Sequence, residues 1–182
     1  NSDETKAHGE RMAALAKIMG DRLHLPGEDM AALELASVLH DIGKVRVDFA
    51  IMRKAGMLNN AEWDEIKRHP EAGSRIAQSI PHLNAIADVI LYHHERWDGT
   101  GYPNGLKGDQ IPLLSRILNL VDAFDTMRED RDYRKAMSEE DAAREILDGA
   151  GKQFDPYLAR VFVENVLREG KKAPGGATEG TV

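Results

Sequence analysis

The sequence predicts an all-α fold. Apolar residues recur at three-to-four spacing through most of the chain, and proline, glycine and capping residues punctuate that pattern. At 182 residues there is enough chain for one core and too little for two ordinary domains. The first helix is expected from Asp3 to about Leu23, where Met12, Leu15, Ala16, Met19 and Leu23 form one stripe. Pro26-Gly27 ends it. A second helix follows from about Glu28 to His40 with Met30, Leu33, Ala36 and Leu39 inward, and Gly43 permits the chain to turn after His40-Asp41. Asn59 or Asn60 can cap a helix through Trp63 and Ile66 to His69, with Pro70 suited to the first turn of the next. Leu83 to Glu95 is apolar and helical in pattern, and it delivers His93 and His94 at its end. Arg96 to Pro112, rich in glycine and proline, is a long loop. Helix returns from Pro112 to Arg128 with Ile117, Leu118, Leu120, Val121 and Phe124 as its buried face. Ser138 and Asp141 resemble a capping box opening a helix to about Leu147, and a last helix runs from Asp155 to Arg168. The domain is therefore placed at 1–168 and a flexible tail without apolar periodicity at 169–182. The start at Asn1, almost on top of the first candidate ligand, suggests a domain cut from a longer protein.

Charge and composition narrow the function. A net charge of −7 argues against a surface that gathers polymeric nucleic acid. A small anion is still compatible with it, because bound cations and local Lys or Arg residues invert the field in one cleft. No run approaches the length of a membrane span. The absence of cysteine excludes disulfides and thiolate ligands, so a metal would be held by nitrogen and oxygen.

Histidines and carboxylates at particular spacings point to such a metal. Glu4 and His8 lie four residues apart and would project from one helical face. Adjacent residues such as His40 and Asp41 point about 100° apart on a continuous helix, but a helix end can rotate the second, letting the carboxylate bridge two ions. His93-His94 is the same device. His69 is a further candidate, and Asp122, set among Leu120, Val121, Ala123 and Phe124, would be costly to bury without a partner or an ion.

These residues stand in motifs. His40-Asp41-Ile42-Gly43-Lys44, the run from His93-His94-Glu95 through Asp98-Gly99 to Gly101-Tyr102-Pro103, its continuation from Gly105 to Pro112, and the Glu4-Thr5 to His8 entry occur in order. Together they resemble the HD-GYP subgroup of HD-domain phosphohydrolases, bacterial enzymes that hydrolyse cyclic di-GMP, over nearly all of Asp3 to Leu167. The resemblance implies an HD-domain helical bundle with a metal cluster at its centre. It places the metal ligands on Glu4, His8, His40, Asp41, His69, His93, His94 and Asp122, and leaves His24 and His82 as surface residues. It puts Lys44 near the scissile phosphate and Arg131 and Arg134 on the substrate phosphates, although Asp132 replaces the proline usual between them. The implied cofactors are two or three divalent transition-metal ions, iron or manganese, with Glu4 the mark of a three-metal site. The implied reaction is attack by a hydroxide bridging two ions, giving linear pGpG, GMP or both. Asp125, on the same face as Asp122, could orient water or bind a third ion, or pair with Arg128 or Arg131. Tyr102 is a base-stacking or a packing residue; Trp63 and Trp97 are expected to pack. The resemblance further implies a bacterial cytoplasmic location, an upstream sensor or receiver domain, and a diguanylate cyclase (GGDEF) domain as a partner of the Gly-Tyr-Pro loop. Two alternatives remain: hydrolysis of another nucleotide such as cyclic GMP-AMP, and a signalling module that binds a cyclic dinucleotide or a partner without turnover.

Overall fold

The structure, a computed structural model, describes residues 2–54, 56–130 and 135–167, with side chains over 6–54, 56–130 and 135–164. Arg131, Arg134, the Glu4 side chain and the expected tail lie outside the described residues. The fold is helical; among the described residues the β contact is a single bridge between Ala150 and Phe154.

Helices α1 (Ser2–Arg22) and α2 (Gly27–Leu39) pack against each other, and Met12, Ala16, Met19, Leu33 and Ala36 are fully buried between them and the rest of the bundle. After α2 come a 3-10 turn (Ile42–Arg46) and two short helices, α3 (Phe49–Met52) and α4 (Asn60–Ile66). The next helices are α5 (His69–Ser79) and, after a 3-10 turn (Pro81–Ile86), α6 (Ala87–Tyr92). The central member is α7 (Leu113–Met127), which touches α1, α2 and α6 as well as α8 (Glu139–Asp148) and α9 (Pro156–Val161). Its burial explains its composition: Ile117, Leu118, Leu120 and Val121 are inaccessible, and Phe124 meets Phe162 edge-on at 5.0 Å.

Several boundaries differ from the sequence expectation. The helix expected to run from Asn59 to His69 ends at Ile66, and His69 opens α5 instead. Proline at 70 accounts for the break, because it offers no N–H to the Ile66 carbonyl four residues back and its ring crowds that carbonyl, while it is well suited to the first turn of α5. The expected helix from Leu83 begins as a 3-10 turn, and that from Asp155 ends in a π-helix (Phe162–Leu167). Short α3 and the 3-10 turn after Asp41 were not anticipated. Gly43 also serves a different purpose from the expected one. Its φ is not positive; a Cβ there would lie 1.9 Å from the His69 carbonyl oxygen and 2.5 Å from the Gly73 nitrogen. Glycine is needed so that the turn after α2 can touch the first turn of α5, bringing His69 to Asp41.

Candidate metal centre

Three of the histidines are oriented by helix ends. The last carbonyls of a helix have no partner within it. His40 and His93, the residues after α2 and α6, turn Nδ1 back onto Ser37 O (3.1 Å) and Ile90 O (2.6 Å). His69 makes the same contact with Ile66 O at 2.8 Å, filling the acceptor that Pro70 leaves open. If Nδ1 carries the proton in each, as these contacts require, Nε2 presents its lone pair inward; a hydrogen bond on one ring nitrogen is how proteins orient metal-binding imidazoles. His8 is oriented differently, by a carboxylate: its Nδ1 lies 2.6 Å from Asp125 Oδ2.

The inward atoms form two groups of three, His69 with His93 and His94, and His8 with His40 and Asp122, each with donor atoms within 4.8 Å of one another. Asp41 stands between the groups. Its Oδ1 is 3.4 Å from His69 Nε2 and its Oδ2 3.5 Å from His40 Nε2. Within the groups, His69 Nε2 is 3.4 Å from His93 Nε2, and His8 Nε2 is 3.4 Å from Asp122 Oδ1. Two donors each about 2.1 Å from one ion sit about 3.0 to 3.4 Å apart, so these spacings suit shared metal ions. The donor set of imidazole and carboxylate is right for a first-row divalent metal.

Electrostatics agree with that fit. Burial holds the His69, His93 and His94 imidazoles below their ordinary value, His94 down to about 3 with His69 adding to the effect, so all three are neutral and able to ligate. Burial opposes ionisation of Asp41 and Asp122, but neighbouring histidines, and Lys44 beside Asp41, outweigh it and keep both carboxyls below the usual range. Lys44 Nζ is 2.5 Å from Asp41 Oδ2. His8 goes the other way: burial lowers it, yet Asp122 and Asp125 together raise it to about 9, so without an ion it is protonated at neutral pH and must release the Nε2 proton to ligate one.

A third acidic group, His8 with Asp125 and Glu129, already has a cation. Arg11 grips Asp125 through Nε and Nη2, both at 2.7 Å, and its Nη2 also reaches Glu129. Asp125 therefore pairs with Arg11 and His8, while Arg128, one of the partners considered for it, donates to Met137 O at 3.3 Å, and Arg131 lies outside the described residues. Sequence reasoning missed Arg11 and Glu129, although Arg11 lies one turn from His8 on α1 and Glu129 one turn from Asp125. It also missed the work of Glu95, which is buried and accepts from Asn104 N (2.7 Å) and Leu106 N (3.0 Å), tying down the Arg96 to Pro112 loop. The loop closes on the helix end, since a Cβ on Gly101 would lie 2.4 Å from Arg96 N. This seats Tyr102, after which the peptide to Pro103 is cis, against His94 with ring centroids 4.9 Å apart. Burial, Asp41 and Asp122 raise the Tyr102 hydroxyl pKa, so it stays protonated. Of the two tryptophans, Trp97 packs as expected, under the Arg116 guanidinium, whereas Trp63 is 48% exposed.

A cavity of about 880 Å³ opens over the cluster. His8, Asp41, His69, His94 and Asp122 line its floor, with Lys44 and Tyr102 beside them, and Met57, Leu58 and Trp63 contribute an apolar wall. Its size is in the usual range of small-ligand sites, about 300–1,000 Å³.

The family model for the HD domain matches residues 1–158. The chain belongs to the HD-domain family. Among curated proteins, this HD domain is 40% identical over 167 residues to a cyclic di-GMP phosphodiesterase of Pseudomonas aeruginosa, covering 91% of the chain and 40% of that protein. It is 35% identical over 166 residues to a 3'3'-cGAMP-specific phosphodiesterase of Vibrio cholerae, covering 90% of the chain and 32% of that protein. The chain thus spans well under half the length of these relatives. Its fold matches the crystal structure of a cyclic GMP-AMP-specific phosphodiesterase of V. cholerae with a TM-score of 0.72 at 24% identity, over 90% of this chain and 44% of that one. Within the family, these relatives and the His40 to Lys44 and His93 to Pro103 motifs place the HD domain in the HD-GYP group. No helix among the described residues is long and apolar enough to cross a membrane.

Proposed function

We propose that this HD domain is a metal-dependent phosphodiesterase that opens cyclic di-GMP to linear pGpG, GMP or both. The observation that carries the reading is the pair of three-donor groups joined by the two oxygens of Asp41. His69, His93 and His94 would hold one ion, His8, His40 and Asp122 a second, with Asp41 shared. Glu4, on the first turn of α1, would complete a third. Bound there, divalent iron or manganese would lower the pKa of a water and neutralise the phosphoryl oxygens during in-line displacement.

The chain's own residues supply position. Lys44 holds Asp41 and faces the cavity, so its ammonium can donate to a nonbridging phosphate oxygen. Arg131 and Arg134 are assigned the substrate phosphates by their place in the motif, where forked guanidinium donors suit phosphate. Tyr102, neutral and stacked on His94, walls one side and limits water. Asp125 orients His8 in this scheme and is not itself in contact with substrate. We further assign the domain to a longer, cytoplasmic bacterial signalling protein, with a sensor or receiver domain upstream and a diguanylate cyclase domain as a partner of the Gly-Tyr-Pro loop.

Hydrolysis of 3'3'-cGAMP is the second reading, favoured by similarity to the V. cholerae enzyme specific for it. Chromatography of products from cyclic di-GMP, 3'3'-cGAMP and cyclic di-AMP, using anaerobically metal-loaded protein, separates them. Preferential formation of pGpG or GMP from cyclic di-GMP is expected, preference for 3'3'-cGAMP would establish the second reading, and no turnover of any would refute both.

A further inference from the structure

Beside the main cavity lies a second, of about 530 Å³, lined by Asn60, Trp63, Asp64 and Lys67. Trp63 lines both, so its indole forms the rim between the metal-lined floor and this outer recess. The four residues follow the three-to-four spacing of one face of α4 and its end. That helix is held firmly: Asn59 and Glu62 form a reciprocal capping box, and Lys54 Nζ reaches both Glu62 carboxylate oxygens at 2.8 and 2.7 Å. Lys67 connects the recess to the site, its Nζ standing 6.0 Å from the centre of the Tyr102 ring that stacks on His94.

We propose that this recess is a guanine subsite, with Trp63 as its stacking platform and Asp64 and Lys67 reading the base edge. The inference rests on the cyclic-dinucleotide reading above and extends it to the choice of base. An indole half exposed at the rim of a ligand-sized cavity offers a large flat face for a purine. Guanine carries donors at N1 and N2 and acceptors at O6 and N7. A carboxylate accepts from the first pair, and an ammonium, with the Asn60 amide beside it, donates to the second. Adenine turns a lone pair at N1 toward the same carboxylate and has no O6, so its binding leaves Asp64 without a donor and Lys67 with one acceptor fewer. A site built to pair with a polar edge rejects a ligand that lacks it.

The test measures kcat/KM of the metal-loaded protein on cyclic di-GMP, cyclic di-AMP and bis(p-nitrophenyl) phosphate, a diester without a base. In Trp63→Ala, selectivity for cyclic di-GMP over bis(p-nitrophenyl) phosphate should fall about ten-fold through KM, and Trp63→Phe should recover most of it. In Asp64→Asn, the ratio of cyclic di-GMP to cyclic di-AMP should fall by a similar factor. Unchanged ratios in either variant, or equal losses on all three substrates, would overturn the subsite. If the native protein cleaves bis(p-nitrophenyl) phosphate and neither dinucleotide, the proposed function fails separately. Trp63 emission in a Trp97→Phe background then decides the subsite: quenching by GMP that AMP does not match supports it, and no difference between them overturns it.

Discussion

At the scale of single residues, the cluster depends on what stands behind each imidazole. His40, His69 and His93 lean on carbonyls at the end of the helix before each of them, which no substitution of a side chain can remove. His8 leans on Asp125, which Arg11 clamps with two hydrogen bonds. Arg11→Ala should therefore lower metal affinity about ten-fold or more, the usual cost of losing a partner behind a ligand. His82→Ala, on the exposed surface, should not; His24 is the poorer control because its φ of +53° gives its replacement a backbone cost. Titration with manganese followed by equilibrium dialysis reads the difference, and equal affinities in the two variants would remove Arg11 from the support of the site. The candidate ligands were legible in the sequence because most are adjacent or one turn apart inside motifs. Arg11 was not, since its partners Asp125 and Glu129 lie 114 and 118 residues away and no local pattern joins them.

At the scale of elements, the site is made by the contact of the turn after α2 with the start of α5. Gly43 and Gly73 let the two backbones meet, and a Cβ at Gly73 would itself lie 2.9 Å from Ile90 Cγ2. Gly43→Ala cannot be absorbed by a flexible side chain, because the atoms it strikes are backbone. It should cost about 1–3 kcal/mol or more and separate His69 from Asp41. Thermal melts with and without metal should show a lower Tm and a smaller gain from metal than the native protein; a native Tm and native metal response would contradict the packing argument. Helix stripes such as Met12, Ala16 and Met19, or Leu118 and Val121, could be read from sequence because burial follows the period of the helix. The break at Ile66 was harder to see. It arises where Pro70 interrupts a run that is otherwise helical, and the His69 contact that exploits the interruption is a tertiary consequence. The 3-10 turn at Pro81–Ile86 was missed for a similar reason, as its apolar residues fit either geometry.

For the whole molecule, the cluster concentrates neutral histidines and ionised carboxylates in one buried place, and this couples stability to pH when metal is removed. His94 titrates near 3 in the folded state because burial opposes its charge, against an ordinary value of 6.5. Below 6.5 the unfolded chain therefore binds protons that the folded chain refuses, and this contribution to stability is lost progressively down to about pH 3. The lowered pKa values of Asp41 and Asp122 add a loss of the same sign at lower pH, as the unfolded carboxyls begin to protonate. His8, raised to about 9, contributes in the opposite sense: its share is complete below 6.5 and vanishes as pH rises through 9. Chelator-treated protein should thus melt at lower temperature at pH 5 than at pH 7, by about 2–4 °C for each kcal/mol lost. A Tm at pH 5 equal to or higher than that at pH 7 would mean that the histidines are not buried neutral. The central claim is that Asp41 joins two metal sites, and the most direct measurement is elemental analysis of anaerobically prepared native protein and Asp41→Ala, with turnover of cyclic di-GMP recorded on the same samples. Native protein should hold at least about two ions per chain and cleave the dinucleotide, while Asp41→Ala, still folded, should lose metal and turnover together; a folded Asp41→Ala variant with native metal content and native turnover would contradict the account.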